Sequence, residues 1–270
     1  MSFYTSLSGL KSAQTDLSVI SNNIANSETN GFKKSNSAFS DIIAASASSN
    51  PSTTTGVGSS VANITQDFSL GPVEQTGNAL DALVNGEGFF TVVSPLSGET
   101  QYTRNGHFHP DADRFLVNDQ GAQVQVYPVD ATGAVSSTTL QSIQLPTSNA
   151  AGADYSGVSI GQRGEIVATF TDGTSETLGV IGLANFVAPT GLKQLGNATW
   201  SATGNSGTAT YGQPGSNGYG NLLPGALERS NVDIAEELVS LITAQRNYQA
   251  NAKAIDTATQ VSQAIMNLRT

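Results

Sequence analysis

Cysteine is absent from the 270 residues, so no disulfide, thiolate nucleophile or thiolate metal site can form. Charge is scarce too. Asp, Glu, Lys and Arg make up 12% of the chain, about half the usual share of roughly 25%. The two histidines lie in one short run, His107-Phe108-His109, which leaves little from which to build a nucleophile–base pair. No apolar run approaches the roughly 20 residues of a membrane span. The N-terminus has no basic region followed by a continuous apolar core. Membrane insertion is therefore not expected, and departure from the cytoplasm would need a route without a cleaved signal peptide. No basic patch exists to displace counterions from phosphates, which argues against nucleic acid as a partner.

The polarity comes instead from Ser, Thr, Asn and Gln, together with 28 Gly. The net charge of −10 is unevenly placed. Residues 1–34 carry three basic and two acidic groups, residues 228–270 four and five, and residues 35–227 four and fourteen. Near-neutral ends can meet copies of themselves without repulsion, while an acidic middle keeps an outer surface soluble.

Both ends are patterned as helices. Phe3, Leu7, Leu10, Leu17 and Ile24 follow steps of three and four, with Gln14 and Ser21 filling the same stripe. The Asn-rich run Asn22, Asn23, Asn26, Asn30-Gly31 ends this helix. A second stripe runs through Leu238, Leu241, Gln245, Tyr248, Ala252, Ile255, Thr259, Ser262 and Met266, with Ser230-Asn231 as its start and Asp233 and Glu236 in its first turn. Between them, β-like runs are punctuated by Asn85-Gly86, Asn105-Gly106 and Asp172-Gly173. The expected fold class is α+β. N- and C-terminal helices (1–30 and 227–270) form a coiled-coil-like inner domain, 31–75 is an extended connector of low complexity at its centre, and 76–226 is an inserted all-β domain.

No constellation marks a catalytic centre. His107 and His109 with Asp111 and Asp113 are the nearest approach to a metal cluster, but the run follows an Asn-Gly turn and precedes Pro110, so a hairpin rim is the simpler account. Gly86-Glu87-Gly88 and Gly56-Val57-Gly58 lack the Lys and the strand-to-helix setting of a phosphate loop. No enzyme activity, cofactor or metal is expected. The terminal stripes leave two readings open: contacts between copies of the chain, or an intramolecular helical hairpin.

Several runs bear on that choice. SGLKSAQTDLSVISNNIANSETNGFKKSNSAFSD near the start and GALERSNVDIAEELVSLITAQRNYQANAKAI near the end, closing with NLR, resemble the paired terminal signatures of bacterial flagellar rod and hook axial proteins. Asn22, Asn23, Asn26, Gly31, Phe32, Asn231, Gln245 and Arg246 fall within them. TGNALDALVNGEGFFTV and YTRNGHF look like the shared central domain. MSF at the start and the run 199–233 look most like the hook subunit. Residues 145–167 run straight through the place where familiar hook proteins carry an extra outer domain.

The resemblance implies a structural subunit of the flagellar hook, in a short form. Such subunits leave through the flagellar type III export apparatus and polymerise into a hollow helical tube that acts as a universal joint. A distal or proximal rod protein of the basal body is the alternative. Implied partners are further copies of the chain, a hook cap, the distal rod and hook–filament junction proteins. The implied location is the extracellular flagellum. Phe3, Leu7, Leu10, Leu17, Ile24, Leu238, Leu241, Tyr248 and Ile255 would line inner-tube contacts between subunits.

Overall fold

The computed structural model describes residues 2–43, 56–95, 97–130, 133–216 and 218–267. Most of the low-complexity run and the last two residues of the closing NLR lie outside them. The fold is α+β, with two long terminal helices and a β-rich middle. The chain divides into two compact units. One comprises Met1–Ser27, Lys34–Asp67 and Val232–Thr270, and the other Glu28–Lys33 and Phe68–Asn231.

The first unit is built on α1 (Ser2–Ala25) and α2 (Ile234–Asn267). Asp233 caps α2, its Oδ1 accepting from the amides of Ala235 at 2.8 Å and Glu236 at 3.2 Å, so the start lies later than the expected Ser230-Asn231. The helices run antiparallel, since Asn23 meets Glu237 and Gly9 meets Asn251. That register puts Ser2 level with Ala258, the last half-buried residue of α2. Beyond it, residues 259–267 are all exposed, an overhang of about 13 Å at 1.5 Å per residue. No described helix is long and apolar enough to cross a membrane.

Within the span expected as an extended connector, β1 (Ser35–Ile43) and β2 (Gly56–Gln66) pair antiparallel, with register shifts at Ala38/Phe39 and Ile42/Ile43. This hairpin lies on α1 through small hydroxyls. Ser12 Oγ meets Ser59 Oγ at 3.1 Å, the Ser59 amide donates to Ser8 Oγ at 3.2 Å, and Thr5 Oγ1 donates to the Val57 carbonyl at 3.2 Å. Side chains this short bring a strand close to a helix without an apolar layer between them.

In the second unit a large antiparallel sheet places strand Phe89–Val93 between Thr100–Thr103 and Gln123–Pro128. One cluster is built on Phe90, Phe108, Leu116, Val124, Ile166 and Ile181, all at most 1% exposed. A second is aromatic: Trp200 has Phe68 at 5.5 Å and Phe89 at 5.8 Å, with Tyr102 against Phe186 at 4.8 Å, all edge to face. Asp172-Gly173 turns the strand Glu165–Phe170 into Ser175–Ile181 as expected, with φ +81° at the glycine.

Asn105-Gly106 does something else. The flanking strands pair elsewhere, Thr100–Thr103 with Phe89–Val93 and His109–Pro110 with Leu116–Val117. Gly106 is needed because its carbonyl accepts from the Ala82 amide at 3.0 Å, where any Cβ would strike the Ala82 carbonyl. At the place where an inserted outer domain would leave the chain, an Asn149–Gly152 turn and a Ser148–Asp154 bridge lead directly into strand Tyr155–Ile160.

Candidate assembly surfaces

The row of α2 that meets α1 contains Glu237, Leu241, Ala244, Tyr248, Asn251, Ile255 and Ala258, spaced by alternating fours and threes and all buried or half-buried. Its counterpart on α1 is Gly9, Ala13, Asp16, Ile20 and Asn23, in which Ala13 and Ile20 are at most 7% exposed. The predicted stripe of Phe3, Leu7, Leu10, Leu17 and Ile24 is therefore one position off this row, about 100° round the helix. These five are half-buried or exposed. The reason is close packing. A Cβ on Gly9 would lie 2.6 Å from Asn251 Oδ1, so the inward row must be small and the larger side chains are displaced to the flank.

The α2 residues of the predicted set divide in the same way. Leu241, Tyr248 and Ile255 belong to the inward row, whereas Leu238 is 46% exposed and faces outward with Ile242 at 50%. Val261 and Ile265 project from the overhang. Phe39, Ile42, Ile43 and Ile64 add exposed apolar side chains from the hairpin, in a span the sequence reading took for an extended connector. Soluble chains carry scattered surface apolar groups, but a concentration of this kind on one unit marks a surface for association.

Signature residues sit where the elements of each unit are tied. Asn23 is 1% exposed. Its side-chain amide donates to the Ser35 carbonyl at 2.9 Å, its oxygen accepts from the Ser35 amide at 2.9 Å, and it also donates to Glu237 Oε2 at 3.3 Å. One side chain thus joins α1, β1 and α2. Lys34 donates to Glu237 at 2.9 Å, a hydrogen bond that raises the lysine above its ordinary range against the opposing effect of burial. The lysine's share of stability is therefore complete below about pH 10.4 and fades only as pH rises through the higher folded value. A polar cavity of about 360 Å³ lies among Asp16, Asn23, Lys34, Ser37, Glu237 and Ser240.

Asn23→Ala should cost the helical unit about 1–3 kcal/mol, because the Ser35 amide and carbonyl both lose a partner. Asn23→Asp should be no milder, since it sets a carboxylate beside Glu237. Unfolding followed by helical circular dichroism checks both.

Asn26 Nδ2 donates back to the Asn22 carbonyl at 2.9 Å, while Asn22, Gln245 and Arg246 are exposed. In the second unit, Asn231 Nδ2 donates to Ser69 Oγ at 3.1 Å. Gly31 holds φ +70° with its amide on the Glu228 carbonyl at 2.7 Å, and a Cβ there would come within 2.6 Å of the Asn105 amide nitrogen. Phe32 is 4% exposed. Next to it, the Lys33 ammonium and the Glu228 carboxylate are fully buried and 2.5 Å apart. Lys33 also donates to the Ser69 carbonyl at 2.6 Å, and Glu228 Oε1 accepts from the Gly71 amide at 3.0 Å. Arg104 lies 3.9 Å from Glu228 Oε2 and over the Phe89 ring at 5.0 Å. Burial pulls its guanidinium below the usual range, opposed by Glu228 and Glu87. This buried cluster was not predicted, because no period or motif chemistry distinguishes Lys33 from a surface lysine.

Comparison with known proteins meets these features along the chain. Family profiles match residues 3–33 (flagella basal body rod protein), 83–168 (flagellar hook protein FlgE/F/G D1 domain) and 223–268 (flagellar basal body rod FlgEFG protein C-terminal). The flagellar basal-body rod protein FlgG of Bacillus subtilis (strain 168) is 35% identical over 279 positions, covering 99% of this chain and 98% of its own. The flagellar hook protein FlgE of Salmonella typhimurium (strain LT2) is 30% identical over 411 positions, covering all of both chains, and that of Escherichia coli (strain K12) is 30% identical over 410. With matched termini, a matched central domain and relatives aligned from end to end, the chain belongs to the flagellar rod and hook axial protein family.

Proposed function

We propose that this chain is a structural subunit of the flagellar hook that polymerises with copies of itself into a hollow helical tube. The observation that carries the reading is the apolar surface left uncovered on the helical unit, Leu238, Ile242, Val261 and Ile265 on α2, beside the half-buried Leu7, Leu10 and Leu17 flank of α1. Coiled-coil-like packing of these faces against neighbouring subunits forms the inner tube, and the β-unit supplies the outer wall. The subunit is exported through the type III apparatus, and its contacts at the tube ends are with the hook cap, the distal rod and the hook–filament junction.

Transmission of torque through a bend needs neighbours that slide without parting. Contacts dominated by hydroxyls and amides, as between α1 and the hairpin, suit this because none fixes one register as a strong ion pair would. End-to-end alignment is found with hook and rod proteins alike and so supports either position.

A distal or proximal rod position is the second reading, favoured by length. Alignment with the Bacillus subtilis rod protein spans 279 positions against this chain's 270 residues, whereas the Salmonella hook protein requires 411. Labelling the protein in isolated hook–basal bodies separates them. Label along the curved segment outside the outer membrane is the expected result. Label confined to the straight segment beneath it assigns the rod instead.

A further inference from the structure

At the rim of the β-unit, His107, His109 and Asp119 bring their ligand atoms within 4.8 Å of one another. Phe108 between the histidines is fully buried. Alternate residues of an extended segment project to one side, so both imidazoles stand on the outer edge, with ring centroids 6.3 Å apart. Asp119 lies in the turn that follows strand Leu116–Val117, which pairs with His109–Pro110 and so brings the turn back towards His107.

The outer partners give the arrangement its meaning. His107 Nδ1 is 2.7 Å from Asp81 Oδ1. Asp81 is buried and also accepts from Thr76 Oγ1 at 2.5 Å and Asn78 Nδ2 at 3.0 Å. With Nδ1 turned to this carboxylate, Nε2 is the ring nitrogen left to meet a ligand. Nε2 lies 3.8 Å from Asp119 Oδ1. Asp119 is itself fixed through its other oxygen, which accepts from Asn105 Nδ2 at 3.2 Å. An imidazole backed by a buried carboxylate, opposite a carboxylate anchored on its far oxygen, is the outer-shell arrangement that metal ligands use.

We infer that His107 Nε2, His109 and Asp119 Oδ1 form a three-ligand site for a divalent first-row transition-metal ion of the Zn²⁺ class, with water in the fourth position. Two imidazoles select such an ion over Mg²⁺ or Ca²⁺, which take oxygen ligands. Bonds of about 2.0–2.2 Å require the ligand atoms to draw closer than they stand. His109 is exposed and can turn inward, while Asp119 is anchored by Asn105 and His107 is held by Asp81.

Titration calorimetry of Zn²⁺ into the metal-free full-length protein tests the site, with Mg²⁺ in excess as a competitor. Saturable binding of one ion per chain, retained in Mg²⁺, is expected. His109→Ala and Asp119→Asn, both at exposed positions and checked for folding by circular dichroism, should each weaken it at least tenfold. Absence of saturable binding would overturn the inference. Equal binding by both variants would overturn it as well, tracing the ion to surface carboxylates elsewhere.

Discussion

Lys33→Met should destabilise the β-unit by about 3–5 kcal/mol, the usual cost of leaving one member of a buried ion pair without the other. Both side chains have no exposed surface, and the 2.5 Å contact leaves no room for water to take the ammonium's place. After the change, the Glu228 carboxylate keeps the Gly71 amide at 3.0 Å and the more distant Arg104 at 3.9 Å, while the Ser69 carbonyl loses the Lys33 ammonium at 2.6 Å and keeps the longer contact from Asn231 at 3.4 Å. Arg104 cannot substitute, since its guanidinium is committed to the Gly86 carbonyl at 2.9 Å and the Phe89 ring. Glu228→Gln should cost less than Lys33→Met, because a neutral amide still accepts from Lys33 and Gly71. The double variant Lys33→Met/Glu228→Leu should recover part of the loss, as no buried charge is then stranded against a single partner. Urea unfolding of the three proteins, monitored by Trp200 fluorescence, gives the values. A loss below about 1 kcal/mol for Lys33→Met would mean that the pair is solvated in solution.

The same cluster shows where sequence reading stops. Lys33 and Glu228 are 195 residues apart, and nothing local marks either as buried. They come together because Val73–Gln75 pairs with Ala226–Glu228 and because Gly31 turns its amide onto the Glu228 carbonyl. The terminal helices were legible because a three–four spacing repeated over many residues arises from an amphipathic helix and from little else. Their packed faces were not. A search for large apolar residues finds Leu7, Leu10 and Leu17, whereas close approach selects Gly9, Ala13 and Asn23.

The β1–β2 hairpin was hidden for a similar reason. SNSAFSDII and GVGSSVANITQ have little strand propensity, and their pairing is supported by hydroxyl contacts to α1 that no short-range pattern encodes. Of the punctuating glycine pairs, Asp172-Gly173 made the hairpin that its dipeptide predicts. Asn105-Gly106 met a tertiary demand instead, the close passage of Ala82.

Leu238→Asp and Ile242→Asp should each abolish or reduce polymer formation by at least about tenfold, while leaving the isolated subunit within about 0.5 kcal/mol of its original stability. Both positions are about half exposed on the outward side of α2, so a carboxylate there is hydrated in the free chain and costs little. In a tube the same carboxylate would be buried against a neighbour with no cation provided for it, and its desolvation alone exceeds the roughly 1.4 kcal/mol that separates tenfold differences in association. Ala244→Asp supplies the contrast. At 1% exposure on the inward row it should disrupt α1–α2 packing in the monomer itself, so both stability and assembly fall. Sedimentation of assembled protein alongside thermal unfolding of the soluble subunit distinguishes the two classes. If Leu238→Asp and Ile242→Asp polymerise normally, the outward face of α2 is not buried between subunits, and the contact surface must be sought on the Leu7–Leu17 flank of α1 and the apolar edge of the hairpin. If all three unfold together, α2 is held more tightly by its own chain than its exposure indicates, and the division of the helix into an inward and an outward face does not hold.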